Sequence, residues 1–365
     1  MILYVSLTIW LLLLLFLGLR PDSIDAFESW PCLPEDREAR MNLYIVSFLS
    51  FLTFSLMWFL TAFRSSAIGN DTANYLWYFN HFAQGPDRTS SLEIGYQYLN
   101  YYIGKITRNQ HYFLIIIATI MYGGAGVYFF KYSRNSAISA ILFYCMFFPA
   151  FACILRQGIA MVIALYGYQL LKNGKKLPAS LLFLLATAFH TSAIICFLLF
   201  LDLKILKKKW FVLGMTALCA IISLTGILRT VVDALFPRYA GYFEGQYASS
   251  GWLAISFYLL TYFIFYFLIN KSIDDNDKAD KYVATNFTLL LILTSFGYAV
   301  NLFERAGEYF QLIAVAEIPN MLYRGKVKNF RLWLFGICVV YLAFFIVILI
   351  YRPGWNHLYP YEFWH

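Results

Sequence analysis

The sequence predicts an all-α polytopic membrane protein, and three observations carry that expectation. Hydrophobic residues make up 61% of the 365-residue chain and charged residues only 13%, with a mean hydropathy of +0.63. A soluble domain carries about 25% charged residues. Uncharged runs of about 20 residues recur, the length that crosses roughly 30 Å of hydrocarbon. The runs are continuous rather than alternating, which excludes an outer-membrane barrel.

Taken in order, the candidate spans are 1–19, 42–62, 111–130, 136–151, 155–171, 210–228, 252–270, 282–301, 306–323 and 332–351. Residues 1–19 lack a basic start and are too long an apolar run for an ordinary cleaved signal peptide, so they are read as a retained span. There is no internal repeat and no low-complexity linker. The chain therefore reads as one integral membrane domain, 1–365.

Loop charge sets the orientation, because Lys and Arg accumulate in cytoplasmic loops. Nineteen of the 28 Lys and Arg fall in loops 20–41, 131–135, 172–176, 204–209, 271–281 and 324–331. Loop 20–41 is the weakest of these, since six acids outnumber its three arginines. With this set cytoplasmic, "KNGKK" (172–176) and "KILKKK" (204–209) share one side. The apolar stretch 177–203 must then enter and return as a re-entrant helix pair meeting near His190. Residues 177–190 as helix rise only about 21 Å, and such structure is tolerated where protein or water surrounds it. One tilted span with inverted topology on one side is the alternative.

The opposite side carries the two longest loops, 63–110 and 229–251, both rich in Arg, Tyr, Asp and Glu. That outer face reads as the working face. Within the first loop, 72–83 and 91–106 have the pattern of amphipathic helices lying in the interface. Asn70-Asp71-Thr72 precedes the first of them, a typical capping sequence. Aromatics reach 20% of the chain, with 29 Tyr and 36 Phe. Most suit interfacial belts and packing; tyrosines also suit a surface that meets sugars, with a ring to stack and a hydroxyl to hydrogen-bond.

The net charge of +8 lies in short loops rather than in a basic domain, so no nucleic-acid partner is expected. Five of the six cysteines lie in apolar segments without paired metal spacing, and neither a disulfide framework nor a metal or other cofactor is expected.

Arg156 opens a span in "RQGIAMVIALYGYQ". Ionisable residues at membrane depth are costly and often functional, and the guanidinium fork matches phosphate oxygens. A snorkelling arginine is the structural alternative. His190, in "FHTSAI", places an imidazole inside an apolar run, and imidazole suits proton transfer near neutral pH. A core histidine bonded to a carbonyl explains it equally well. In "NLFERAGEYFQ", Glu304 and Glu308 share a helix face with Arg305 offset. That set is either a proton acceptor beside an arginine or a solvated helix end. Asp71 is either a cap or a second candidate base.

Read together, these pieces resemble the EpsG family, a branch of the Wzy-type polysaccharide polymerases. The matching residues are a span ending at Arg64, then Gly69-x-Asp71-x-x-x-Tyr75, Glu93-x-Gly95-Tyr96, and Arg156-Gln157 at a span start. Phe189-His190-x-Ser192, Arg305-x-x-x-Tyr309-Phe310 and Pro360-Tyr361 complete the set. The likeness runs from about residue 60 onward. Loop 20–41 departs from it, being acidic where the family is usually basic.

The resemblance implies a multi-span fold like that of lipid-dependent (GT-C-like) glycosyltransferases. It implies a bacterial cytoplasmic-membrane enzyme, active site outward, that joins oligosaccharide repeat units on undecaprenyl diphosphate. Its partners would be those lipid-linked oligosaccharides, membrane lipids and a polysaccharide chain-length regulator. The candidate catalytic residues are His190, Asp71 and Glu308. The candidate substrate-binding residues are Arg64, Tyr75, Glu93, Tyr96, Arg156, Gln157, Arg238, Tyr239, Glu304, Arg305 and Tyr309. A lipid-linked oligosaccharide flippase, an O-antigen ligase and a sugar O-acyltransferase are the alternatives.

Overall fold

The computed structural model describes residues 2–20, 37–201, 208–235, 252–274, 276–297, 301–324 and 327–364. Among these residues the secondary structure is helical apart from one isolated bridge, Arg64 to Phe363. The order is α1 (Ile2–Gly18), α2 (Arg37–Ala62), α3 (Thr72–Phe82), α4 (Ile94–Ile106) and α5 (Gln110–Tyr132). Then come α6 (Ser136–Cys153), α7 (Leu155–Lys172), α8 (Lys176–Phe189) and a 3₁₀ helix (Thr191–Phe200). The chain continues with α9 (Lys209–Leu224), α10 (Ile227–Leu235), α11 (Trp252–Asn270), α12 (Lys278–Phe296), α13 (Asn301–Leu322) and α14 (Phe330–Tyr351).

Among the described residues five helices, α2, α5, α6, α11 and α14, are long and apolar enough to cross a membrane. This is an all-α, multi-pass membrane protein, as the composition predicts. Helix α5 absorbs one π turn at Thr119–Gly123 without ending. Helix α12 begins four residues earlier than the predicted span, at an Asp277 cap whose carboxylate accepts from Ala279 N–H. Predicted loop 229–251 opens as helix, because α10 runs on to Leu235; the rest of that loop lies outside the described residues.

The chain packs as two compact units. The first comprises 1–163, 185–191 and 322–365. Its core is aromatic: Phe54 packs on Phe129 and Phe143, and Phe143 on Tyr122 and Phe151. At one end of this unit the α6 cap, Asn135, bonds Gly18 O and the Tyr323 hydroxyl. At the other end residues 353–364 form a strap over the loop after α2. Glu362 O accepts from Ser65 N–H, Phe63 O from Trp364 N–H, and Trp355 O from the Asn70 amide. The Tyr361 hydroxyl donates to Leu60 O.

The second unit comprises 164–184 and 192–321. Here the predicted re-entrant pair takes shape. Phe183 on α8 lies 5.6 Å from Phe197 and 6.0 Å from Phe200 on the 3₁₀ helix, ring centre to ring centre. Phe183 and Phe197 sit seven residues either side of His190. A straight helix would hold them about 21 Å apart, so the chain doubles back at His190. Each arm is also too short to cross about 30 Å alone. Gly167 on α7 makes room for the Phe183 ring, which would lie 2.6 Å from a Cβ there. At the far end of α7, Lys172 pairs with the buried Glu317 at 2.5 Å, and the Tyr168 hydroxyl donates to the same oxygen.

Candidate active site

The first unit brings four of the sequence-predicted residues together around one carboxylate. Glu93 stands at the N-cap position of α4 with extended backbone. Its Oε1 accepts from His190 Nδ1 at 3.1 Å, from Thr191 N–H at 3.1 Å and from the Thr191 hydroxyl at 3.3 Å. Its Oε2 accepts from Arg156 Nη1. Tyr75 on α3 faces the same guanidinium. Glu93 therefore links the start of α7 to the tip of the hairpin, with both partners only partly buried.

Local sequence explains how the pieces reach one another. Gly95 lets α4 lie directly against the end of α8: a Cβ there would meet Ala188 O at 2.6 Å. Helix α8 ends at Phe189, so the Thr191 N–H has no helical acceptor and turns to the carboxylate. Arg156 lies one residue inside α7, just after the break at Ile154 that separates α6 from α7.

The electrostatics are one-sided. Burial alone would raise the Glu93 pKa. The hydrogen bond from His190 and the charge of Arg156 outweigh it and bring the pKa down from 4.5 to about 2. Glu93 is thus an acceptor only. His190 must then carry its proton on Nδ1, which leaves Nε2 as the basic nitrogen in the neutral ring. Arg156 Nε is buried and finds no hydrogen-bond partner among the described residues.

Several candidates are placed differently from their sequence expectation. Arg64 is 1% exposed and bonds inward to Thr61 O, Ala152 O and the Thr72 hydroxyl. It binds the end of α2 to the end of α6, because three backbone and hydroxyl acceptors converge where both helices stop. Asp71 occupies the α3 N-cap position, but its side chain makes no capping bond. In the Gly69 turn, at φ +83, the Thr72 hydroxyl donates to Ile68 O at 2.6 Å. A Cβ at Gly69 would meet Ala152 O at 2.5 Å, so this turn needs its glycine. Tyr96 is fully buried, its ring 6.1 Å from that of Tyr75, and Gln157 is buried at the start of α7.

In the second unit the Tyr309 hydroxyl lies 3.2 Å from the Ser192 hydroxyl. Glu304, Arg305 and Glu308 occupy the first two turns of α13, with Arg305 exposed and both glutamates half-buried. Arg238 and Tyr239 lie outside the described residues. Among the described residues no three of His, Cys, Asp and Glu gather to hold a metal ion. The Thr191 contacts to Glu93 and the strap are geometry that the sequence does not predict.

Fold and site together define a multi-pass helical membrane protein with a charged, partly open cluster where helix ends meet. A family model describes such chains: the EpsG family matches residues 47–363, and the protein belongs to that family. Membership supports a polysaccharide-polymerase-type membrane protein. No curated protein and no solved structure matches the chain.

Proposed function

We propose that the protein is a membrane glycosyltransferase that polymerises oligosaccharide repeat units carried on undecaprenyl diphosphate, on the outer face of the cytoplasmic membrane. The observation that supports this most is the Glu93 carboxylate shared by Arg156 and His190. It holds an imidazole that can take a proton and a guanidinium that can meet a phosphate on one carboxylate.

In this reading His190 Nε2 accepts the proton of the attacking sugar hydroxyl, a step typically worth about 10²–10⁴ in rate. Glu93 holds the imidazole in the required tautomer and stabilises its charge once protonated. The donors of Arg156 not engaged by Glu93 face the diphosphate, where negative charge grows as the glycosidic bond breaks. The new glycosidic bond replaces the sugar–phosphate bond, and undecaprenyl diphosphate leaves. Tyr75 and Arg156 act on the substrate side; Glu93 is a positioning residue, and Arg64 holds the loop. Asp71 remains a second candidate base. Glu304, Arg305, Glu308 and Tyr309, together with Arg238 and Tyr239, are candidates for contacts with the sugars.

The test is reconstitution: purified protein with a lipid-linked repeat unit, read as a ladder on a gel. A ladder from wild type that disappears in His190→Ala and Glu93→Gln, with both variants folded, is the expected result. Wild-type protein that moves the lipid-linked unit across a bilayer without lengthening it would replace this reading with a flippase.

A further inference from the structure

We infer that the outward face of α3 is a saccharide-binding surface that holds the glycan chain away from the catalytic cluster. This rests on the polymerase reading for its ligand class, and on the composition of one helix for its location.

Helix α3 has two unlike faces. Tyr75, Leu76, Phe79 and Phe82 are buried, and Tyr75 is the residue that meets Arg156. The other face exposes Asn74, Trp77, Asn80 and His81, and Gln84 is exposed in the turn that follows. Trp77 is 62% exposed and is the only large apolar side chain on that face. A face turned to lipid would carry aliphatic residues, and the neighbouring α4 does so: Ile94 and Ile106 are exposed there beside Tyr98 and Tyr102. An interfacial helix usually sets Lys or Arg on the face that meets headgroups, whereas this indole stands among Asn74, Asn80 and His81. Amides around a flat ring suit a sugar, whose hydroxyls need donors and acceptors while its C–H face needs an apolar plane.

The platform is built rather than incidental. The His81 ring lies parallel to the Trp77 indole within 1°, 5.6 Å between centres. His81 is steadied by Asp87 at 3.4 Å, and Asp87 N–H is in turn bound by Gln97 of α4 at 2.8 Å. The ring pair is therefore braced from the loop that joins the two helices. The helix is 11 residues long. That gives a face of about 16 Å, long enough for a short run of pyranose rings.

The experiment uses full-length protein in nanodiscs, labelled with 5-fluorotryptophan. Trp77, one of nine tryptophans, is assigned by the ¹⁹F resonance missing from Trp77→Phe. The probe is the oligosaccharide repeat unit released from its lipid carrier by mild acid. The expected result is a saturable shift of the Trp77 resonance, with binding about tenfold weaker in Asn80→Ala. In the ladder assay, Trp77→Ala should join the first two units at the wild-type rate yet stop at short chains. A resonance that moves on transfer from detergent to lipid but not on adding saccharide overturns the proposal in favour of a lipid belt. A wild-type ladder from Trp77→Ala also overturns it. If wild type makes no ladder at all, the polymerase reading fails, and the ¹⁹F titration alone decides whether this face binds sugar.

Discussion

His190 Nδ1 lies 3.1 Å from Glu93 Oε1, and the other oxygen of that carboxylate holds Arg156. Two residues 97 positions apart thus form one unit. Replacing Glu93 should disturb both partners at once. Glu93→Gln keeps the size but loses the charge that orders the imidazole. Polymer yield should fall by about 10² or more, while binding of the lipid-linked donor weakens less. Turnover measured beside donor binding separates the roles: a positioning residue costs rate far more than it costs affinity.

Arg156 and Arg64 should respond in opposite ways. Arg156→Lys keeps a charge but loses the fork, so turnover should drop by about 10²–10³ with little change in melting temperature. Arg64→Ala removes the buried donors to Thr61 O, Ala152 O and the Thr72 hydroxyl together, so its melting temperature should fall, by about 1–2 °C per kcal/mol lost. The check is paired: melting in detergent beside polymer yield. Full activity of Arg156→Ala at normal protein level would remove that residue from the site.

Acid should weaken the Glu93 link. Its folded pKa of about 2 lies below the ordinary 4.5, so the ionised carboxylate stabilises the fold above that ordinary value. Water reaches part of this carboxylate and screens its partners, so the contribution is on the order of 1 kcal/mol rather than the full value of the shift. It is lost as pH falls from 4.5 toward about 2. The melting-temperature gap between wild type and Glu93→Gln should therefore close as pH falls across that range.

Gly95→Ala tests the approach of α4 to the hairpin tip. Its Cβ would lie 2.6 Å from Ala188 O. Backbone cannot yield as a side chain can, so the cost should be about 1–3 kcal/mol. Turnover should also fall, because Glu93 would be pushed off His190. Gly85→Ala, with nothing within 4 Å, is the neutral control.

The hairpin makes a topological prediction. Single cysteines replacing Gly174 and Lys208 should label from the same side of the membrane, the cytoplasmic one. Labelling from opposite sides would mean that 177–203 crosses as one tilted span.

The hairpin is legible in the sequence because charge brackets it: the lysines of 172–176 and 204–209 demand one side, and the arms between are short. The cluster is legible only as separate pieces. His190 reads as an imidazole with no obvious neighbour, and Glu93 as a residue near a helix start. Nothing local says that a carboxylate 97 residues earlier meets it. Arg64 shows the opposite limit. An arginine at a span end looks ready for phosphate, yet three converging acceptors pull it inward. Asp71 shows a third, since a capping sequence is in place but its side chain makes no capping bond.

The strap has a consequence for how the protein is made. The loop that carries Arg64, Gly69 and Asp71 draws its backbone partners from residues about 300 positions later. During synthesis that loop emerges early and stays unclasped until residues 353–364 leave the ribosome and cross over it. Contacts of such long range close last. A stalled or clipped chain would therefore hold most of its helices and still leave this loop loose, so partial products should be idle rather than misdirected.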